Sequence, residues 1–523
     1  MDSPGHPWRT RGFAALAGIV AGGVTLGIGE LAEALVGPRT SPFAVVGNTI
    51  VDRTPEWLKS FAISTFGAND KLVLQICLGV VLLGLSVLAG LFQLRRPPAG
   101  LVLVAVLGGA ASAAAMNRPA SSPEDLIPSL AGVLLGGTAL WLLVRELRTR
   151  PAPARGTRAS ASAGSTADLG RRRFLGLAAA AVGVAVLTAV GSRQLGQTVD
   201  DVLAARGRLR LPEPERPAVD PSPRVRLDIP GLTPFTTAND EFYRVDTALE
   251  VPVVHPDEWT LRVHGMVERV VDIDFADLLT MPLVERMITL TCVSNEVGGE
   301  LAGNAVWLGY PLASLLEQAR PDADADMVLS TSVDGFTAGT PLAALLDGRD
   351  ALLAIGMNGE PLPLDHGFPV RMVVPGLYGY VSATKWVVDL EVTRFDRASA
   401  YWTDRDWAER APIKIASRID VPGSFAELSA GRNVVAGVAW AQRRGISEVE
   451  IQVDSGPWQP ARLAAEASVD VWRQWSLDWD ATPGRHTLRV RATDGDGEPQ
   501  TDEKASPFPD GASGWHSVVV EVV

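Results

Sequence analysis

Thr289-Leu-Thr-Cys292-Val-Ser-Asn295 holds the only cysteine in the last ~330 residues of a 523-residue chain. A cysteine with no partner in its own half is either a small buried hydrophobe or a thiolate engaged in chemistry. Downstream come His366-Gly-Phe-Pro-Val-Arg371, then Pro375-Gly-Leu-Tyr-Gly-Tyr380, then Lys385-Trp386. With those segments around it, Cys292 reads as a metal ligand, and the rest of the chain is organised around that reading.

The other cysteine, Cys77, lies in an apolar run, so the two supply no disulfide framework. The net charge of −13 belongs mainly to residues 201–523, while 1–200 are rich in Ala, Leu, Val and Gly. An acidic soluble half argues against nucleic acid as a partner.

The N-terminal half predicts a transmembrane helix bundle of about five spans, near 12–36, 72–94, 99–116, 127–144 and 174–191. Each approaches the ~20 apolar residues that cross a bilayer. The stretch 42–66 carries Asp52, Arg53, Glu56 and Lys59 and reads as a loop with an interfacial helix. Arg9 and Arg11 precede the first span, Arg95 and Arg96 follow the second, and eight arginines lie between the fourth and fifth. Positive charge marks the cytoplasmic side. The N-terminus is therefore expected in the cytoplasm and the C-terminal half outside a bacterial cytoplasmic membrane.

Gly170-Arg-Arg-Arg-Phe-Leu-Gly176 is similar to a twin-arginine export signal, the route taken by already folded proteins. The competing reading is a basic flank before an apolar helix. None of the six histidines falls inside a span, so no haem is expected in this chain. Glu30 and Glu33 end the first span, either as functional intramembrane carboxylates or as interfacial acids.

Residues 201–234 read as a linker, with seven prolines between 207 and 235. From 235 to 411, short strands (258–275 as a strand and turn, then Met327–Ser332, 351–355, 370–374, 385–392) mix with short helices (from 274, and Leu312–Ala319). No regular strand–helix alternation appears, which indicates an α+β domain. From 412 to 523, six or seven short strands separated by turns such as Asp454-Ser-Gly-Pro457 and Asp494-Gly-Asp-Gly497 indicate an immunoglobulin-like β-sandwich.

Taken together, Asn239-Asp-Glu-Phe-Tyr-Arg244, Cys292, Trp307-x-Gly309-x-Pro311-Leu312, Met357-Asn-Gly-Glu-Pro-Leu362, His366-Gly-x-Pro-x-Arg371 and Lys385-Trp386 resemble the sulfite oxidase family of molybdopterin enzymes. The resemblance covers roughly 225–523 and rests on the order and spacing of these pieces. It implies a sulfite-oxidase-like molybdopterin domain with a C-terminal dimerisation domain. It also implies molybdenum-molybdopterin as cofactor, with Cys292 binding the metal; a soft thiolate suits a metal already held by dithiolene sulfurs. By the same resemblance Asn239, Tyr243 and Arg244 lie along the pterin, and Ser332, His366, Arg371, Ser382 and Lys385 contact the pterin or its phosphate. The implied activity is a two-electron oxygen-atom transfer on a small substrate, with a separate electron carrier or quinone-linked partner. A homodimer through the sandwich is implied as well. The competing reading is a membrane-anchored, cofactor-free binding protein.

The chain departs from the family where substrate would sit. Family members follow the cysteine with an Ala-Gly-Asn-Arg type segment; here it is Val293-Ser-Asn-Glu296. Their tyrosine before Met-Asn-Gly is replaced by Ile355, and an early Arg-Asn-His by Arg244-Val-Asp246. A sulfite dianion needs converging positive charge, so a neutral S-oxide or N-oxide becomes the alternative substrate. Glu296 is a candidate proton donor, and Val293, Trp307 and Tyr310 are candidate pocket walls.

Overall fold

The computed structural model describes residues 7–36, 41–55, 58, 65–66, 70–116, 122–148, 173–188, 199–219, 222–248 and 251–523. The chain divides into two compact units, residues 1–199 with 247–251, and residues 200–246 with 252–523.

In the first unit, α1 (Pro7–Val36), α3 (Asp70–Arg95), α4 (Ala99–Met116) and α5 (Ile127–Arg148) are the long apolar helices. Together with the short turn before α5, they give four segments long and apolar enough to cross a membrane: Thr10–Glu33, Lys71–Arg95, Ala99–Met116 and Pro123–Arg148. The expected fifth span appears as a shorter apolar helix, α6 (Arg173–Thr188). Residues 170–172 of the twin-arginine-like segment lie outside the described residues. The stretch 42–66, expected as a loop with an interfacial helix, carries a helix at its start, α2 (Pro42–Arg53). Ser41 caps it by accepting from the Ala44 N–H, and a proline at the first position needs no hydrogen bond there. The Ser41 hydroxyl also donates to Glu30 Oε1 at 2.8 Å. Helix α1 is central, and small residues let its neighbours approach. A Cβ on Gly18 would overlap the Ser86 carbonyl of α3, and one on Gly90 would overlap the Ala14 carbonyl of α1. Close backbone approach of this kind drives helix association where no hydrophobic force is available.

The second unit starts with a surprise in the expected linker. Residues 199–208 form α7 (Val199–Arg208), with Asp200 and Asp201 at its positive end and Arg206 and Arg208 at its negative end. Val202 is fully buried in the core of the sheet that contains Val284–Thr291, Ala302–Pro311 and Leu352–Met357, and Arg206 Nε donates to the Leu362 carbonyl at 2.8 Å. The proline-rich run that follows is extended and pinned at Arg216, which bridges to Val284.

Two five-stranded sheets build the α+β part. One runs β2 (Val271–Asp274), β1 (Thr260–Gly265), β10 (Val387–Thr393), β5 (Met327–Ser332), β6 (Thr337–Pro341), with only β1 and β10 parallel. The other runs β3 (Val284–Thr291), β4 (Ala302–Pro311), β7 (Leu352–Met357), β8 (Glu360–Pro361), with β9 (Arg371–Val373) on β7. Helix α8 (Phe275–Thr280) begins at a reciprocal Asp274–Asp277 capping box. Helices α9 (Leu312–Ala319) and α10 (Leu342–Leu346) cover the sheets.

The C-terminal part is a two-sheet sandwich. One sheet is ordered β11 (Ala416–Val421), β13 (Gly431–Trp440), β17 (Arg473–Ala481), β16 (Arg462–Leu463). The other is ordered β12 (Glu427–Leu428), β19 (His516–Val522), β18 (Gly484–Asp494), β14 (Ile446–Val453), β15 (Trp458–Pro460). Ile419, Val435, Trp475 and Trp479 from one sheet share a core with Ile451, Leu488 and Val520 from the other.

Candidate active site

Strand ends converge on the site. Cys292 follows the last residue of β3, Ser332 ends β5, Arg371 begins β9, and Lys385 pairs with Arg371 across an isolated bridge. The Cys292 N–H donates to the Leu301 carbonyl (2.9 Å), and the Leu301 N–H donates to Asn295 Oδ1 (2.8 Å), closing the cysteine loop at its base. Burial pushes the Cys292 thiol up, partly offset by hydrogen bonds from Ser294. Without a metal the group is a thiol; coordination removes the proton.

Tyr243 is held down by a stack on Phe242 (ring centroids 5.2 Å), and Phe242 meets Trp307 and His366 edge-on at 5.7 and 5.6 Å. Burial raises the Tyr243 phenol; negative charge on Cys292 raises it further and Arg371 lowers it, so both lie in its electrostatic reach. Tyr378, in the 375–380 turn, is a second phenol within electrostatic reach of Cys292. Its acidity is pushed down by burial, its pKa rising to about 12, with Asp510 and Cys292 also raising it.

Arg371 is 6% exposed and lies 5.1 Å over the Trp307 ring. Its guanidinium donates only to carbonyls, of His366 (3.2 Å), Ala383 (3.4 Å) and Met372 (3.4 Å). No carboxylate pairs with it among the described residues, and burial lowers its pKa to about 10. A buried cation without an anion is costly, so this position suits an anionic occupant. Ser332 Oγ and Thr291 Oγ1 are also buried with no partner. Such orphaned groups normally find one; Thr291 directly precedes Cys292, and Ser332 pairs with Val387, two residues past Lys385.

His366 is buried, and its Nε2 lies 3.1 Å from the Asn239 carbonyl. That contact makes Nε2 the donor and leaves Nδ1 as an acceptor. Burial, then the Arg371 charge, lowers its pKa to about 4. Lys385 is different: its ammonium is taken by Asp246 Oδ2 (2.8 Å) and the Asp365 carbonyl (3.0 Å). Burial lowers its pKa to about 8 against the opposing pull of Asp246. Arg244 is exposed and binds the same Asp246 oxygen at 2.9 Å.

The structure brings Tyr243, Cys292, His366 and Arg371 together and separates others. Asn239 is half-buried, its amide linked to Asn358 (2.8 Å) and the Met357 carbonyl (3.3 Å). Ser382 is buried but donates back into its own turn, to the carbonyls of Leu377 and Tyr378. Glu296 is exposed and lines a cavity of about 450 Å³ with Lys504, Trp515 and His516 of the sandwich. Trp307 is a core residue whose indole donates to the Ile288 carbonyl, and the Tyr310 hydroxyl accepts from Gln318. Asp246, Thr291 and Tyr378 lie within quoted stretches of the sequence, but nothing there assigns them a role.

Residues 248–402 match the oxidoreductase molybdopterin binding domain. Mitochondrial sulfite oxidase of Rattus norvegicus is 29% identical over 341 residues, 55% of this chain and 62% of that protein. An uncharacterized oxidoreductase, YuiH of Bacillus subtilis, is 33% identical over 145 residues, 28% of this chain and 70% of that protein. The crystal structure of the sulfane dehydrogenase SoxCD from Paracoccus pantotrophus aligns at a TM-score of 0.49 and 23% identity, over 58% of this chain and 84% of that one. The chain belongs to the sulfite oxidase family of molybdopterin-binding oxidoreductases. It spans about 62% of the length of the rat enzyme.

Proposed function

We propose that this chain is a membrane-anchored molybdopterin oxidoreductase that moves an oxygen atom, with two electrons, to or from a small sulfur- or nitrogen-containing substrate. The observation that carries it is the unpaired, buried Arg371 guanidinium sharing Tyr243 with Cys292. When bound, the cofactor supplies the two-electron redox centre; the protein supplies orientation and electrostatics. Cys292 gives the thiolate that holds the metal. Arg371 neutralises the cofactor's anionic part, and Ser332 and Thr291 offer hydroxyls to it. His366, kept neutral, presents Nδ1 as an acceptor. Tyr243 and Arg244 flank the pterin, Asn239 braces the segment that carries them, and Lys385 serves through its link to Asp246. Ser382 shapes the 377–382 turn from within.

The substrate is best read as a neutral S-oxide or N-oxide. Arg371 is already required by the cofactor, and the loop after Cys292 carries Glu296 where a dianion would need a cation. The proton-donor role expected for Glu296 is not carried forward, because it lines the cavity against the sandwich.

The topology proposed is five spans with the N-terminus in the cytoplasm, α6 being the fifth, delivered through the twin-arginine-like segment. The catalytic part then works on the outer face of a bacterial cytoplasmic membrane. Electrons pass to or from a quinone-linked protein or soluble carrier, and the sandwich, read as immunoglobulin-like, serves as a dimer contact. Metal analysis of the purified chain tests the core of this: about one molybdenum per chain is expected, lost in Cys292→Ser. A folded chain without molybdenum refutes it. Sulfite screened against S- and N-oxides with an artificial electron carrier tests the substrate class, with turnover expected on the oxides.

A further inference from the structure

The cysteine loop is held at its base by its own hydrogen bonds and at its tip by another part of the molecule. Gly299 N–H donates to the Glu296 carbonyl (2.9 Å), so the tip is a tight turn, with Gly298 at φ +82°. The Gly299 carbonyl accepts from Arg418 Nη1 at 2.7 Å, and Arg418 belongs to β11 of the sandwich. The same guanidinium binds Asp420 Oδ1 through Nε (2.6 Å) and Thr233 Oγ1 through Nη2 (2.8 Å). Thr233 N–H in turn donates to Asp420 Oδ2 at 3.2 Å. Arg418 and Asp420 side chains are 9% and 8% exposed, so this three-way fork is locked. All three nitrogens of Arg418 are used, each on a different partner.

The second hold is His516, the first residue of β19. The Ile419 N–H donates to His516 Nδ1 at 3.0 Å, which puts the ring proton on Nε2. That edge lies directly against Gly298, where any Cβ would overlap it. Burial and the nearby Arg418 charge lower the ring's pKa. Arg418 and Ile419 are neighbours in one strand, so two adjacent residues of β11 fix both contacts on the loop.

We propose that Arg418 and His516 are positioning residues for Cys292: the C-terminal sandwich sets where the metal-binding thiolate sits by clamping residues 298 and 299. The inference rests on Cys292 being the metal ligand. A purely structural sandwich would need no contact with the tip of this loop.

The test uses the full chain in a Cys77→Ser background, since Cys77 is an exposed thiol. Cofactor-free protein is treated with iodoacetamide and Cys292 alkylation is timed; loaded protein is examined for molybdenum content and its molybdenum(V) electron paramagnetic resonance signal. Arg418→Lys keeps a charge for Asp420 but cannot fork to Gly299 and Thr233. We expect Cys292 to alkylate about tenfold faster and the resonance to shift or broaden, with the melting temperature within about 3 °C of the parent. His516→Ala behaves the same way, while His516→Asn, whose Oδ1 can still accept from Ile419, recovers part of the parental rate. If Arg418→Lys misfolds, Gly298→Ala challenges the same contact from the loop side. Parental alkylation and parental resonance in these folded variants overturn the proposal. A Cys292→Ser chain that keeps molybdenum with an unaltered signal overturns the metal-ligand reading instead, and the alkylation rates still judge the clamp.

Discussion

Lys385 Nζ lies 2.8 Å from Asp246 Oδ2, and that one carboxylate oxygen also binds Arg244. The Lys385 and Asp246 side chains are 9% and 5% exposed, so the pair is shielded from water. Breaking a buried pair from one side leaves an uncompensated charge, worth about 3 kcal/mol or more. Asp246→Asn is therefore expected to destabilise the catalytic unit near neutral pH. The folded pKa of Lys385 is already depressed to about 8 from 10.5, so the folded state holds fewer protons than the unfolded one between those values. Stability gained by raising the pH is the result. In Asp246→Asn the folded value falls further and the gain begins below pH 8. Melting temperatures of parent and variant from pH 7 to 10 read this directly, and identical pH slopes refute it.

Arg371→Met should separate two properties that usually fall together. Removing a buried cation that has no carboxylate partner relieves a desolvation cost. The cofactor-free variant should melt at or above the parental temperature, while molybdenum content drops about tenfold or more, since charge-assisted bonds to the cofactor are lost. A variant that loses stability and keeps its metal contradicts the role given to Arg371.

His366 titrates at about 4 when folded and 6.5 when not. Between those values the unfolded chain takes up a proton that the folded chain refuses, so stability falls as pH drops from 6.5 toward 4, by up to about 3 kcal/mol. Above 6.5 the group contributes nothing. His366→Asn should flatten the acid limb of the melting curve; an unchanged limb assigns the fall to other groups, such as His516, whose pKa is also lowered by burial.

Within the helical unit, Gly18→Val and Gly90→Val should lower the melting temperature of the detergent-solubilised chain, because each new side chain meets the backbone of the facing helix. Gly79→Val, on the same helix as Gly90 with nothing within 4 Å, is the matched control and should be near neutral. Equal losses at all three positions would falsify the packing account.

What could be read in advance followed from periodicity. Helix α9 and strand β5 lie where their patterns put them, because each has one buried and one wetter face. Strands β3 and β4 escaped for the opposite reason. Residues 302–305 and 307–310 of β4 are all buried, so no alternation exists to be seen, and Gly303 and Gly309 look like turn residues. Gly303 is there because a side chain would meet the Phe242 ring, with the nearest carbons at 2.6 and 2.8 Å. Helix α7 was hidden by the prolines that follow it. Within the site, Cys292, His366 and Arg371 were marked by motif. Asp246 was not, since a lone aspartate carries no signal until the fold sets it against Lys385. Glu296 shows the limit of adjacency: four residues from the cysteine, it faces the sandwich.

The depth at which Cys292 sits has a consequence for the time before cofactor insertion. Peroxide and other oxidants attack thiolates, and a cysteine whose proton is held by burial offers them little. The empty protein therefore keeps its sulfur from sulfenic or sulfinic acid until a metal takes the proton's place and holds the thiolate as a ligand.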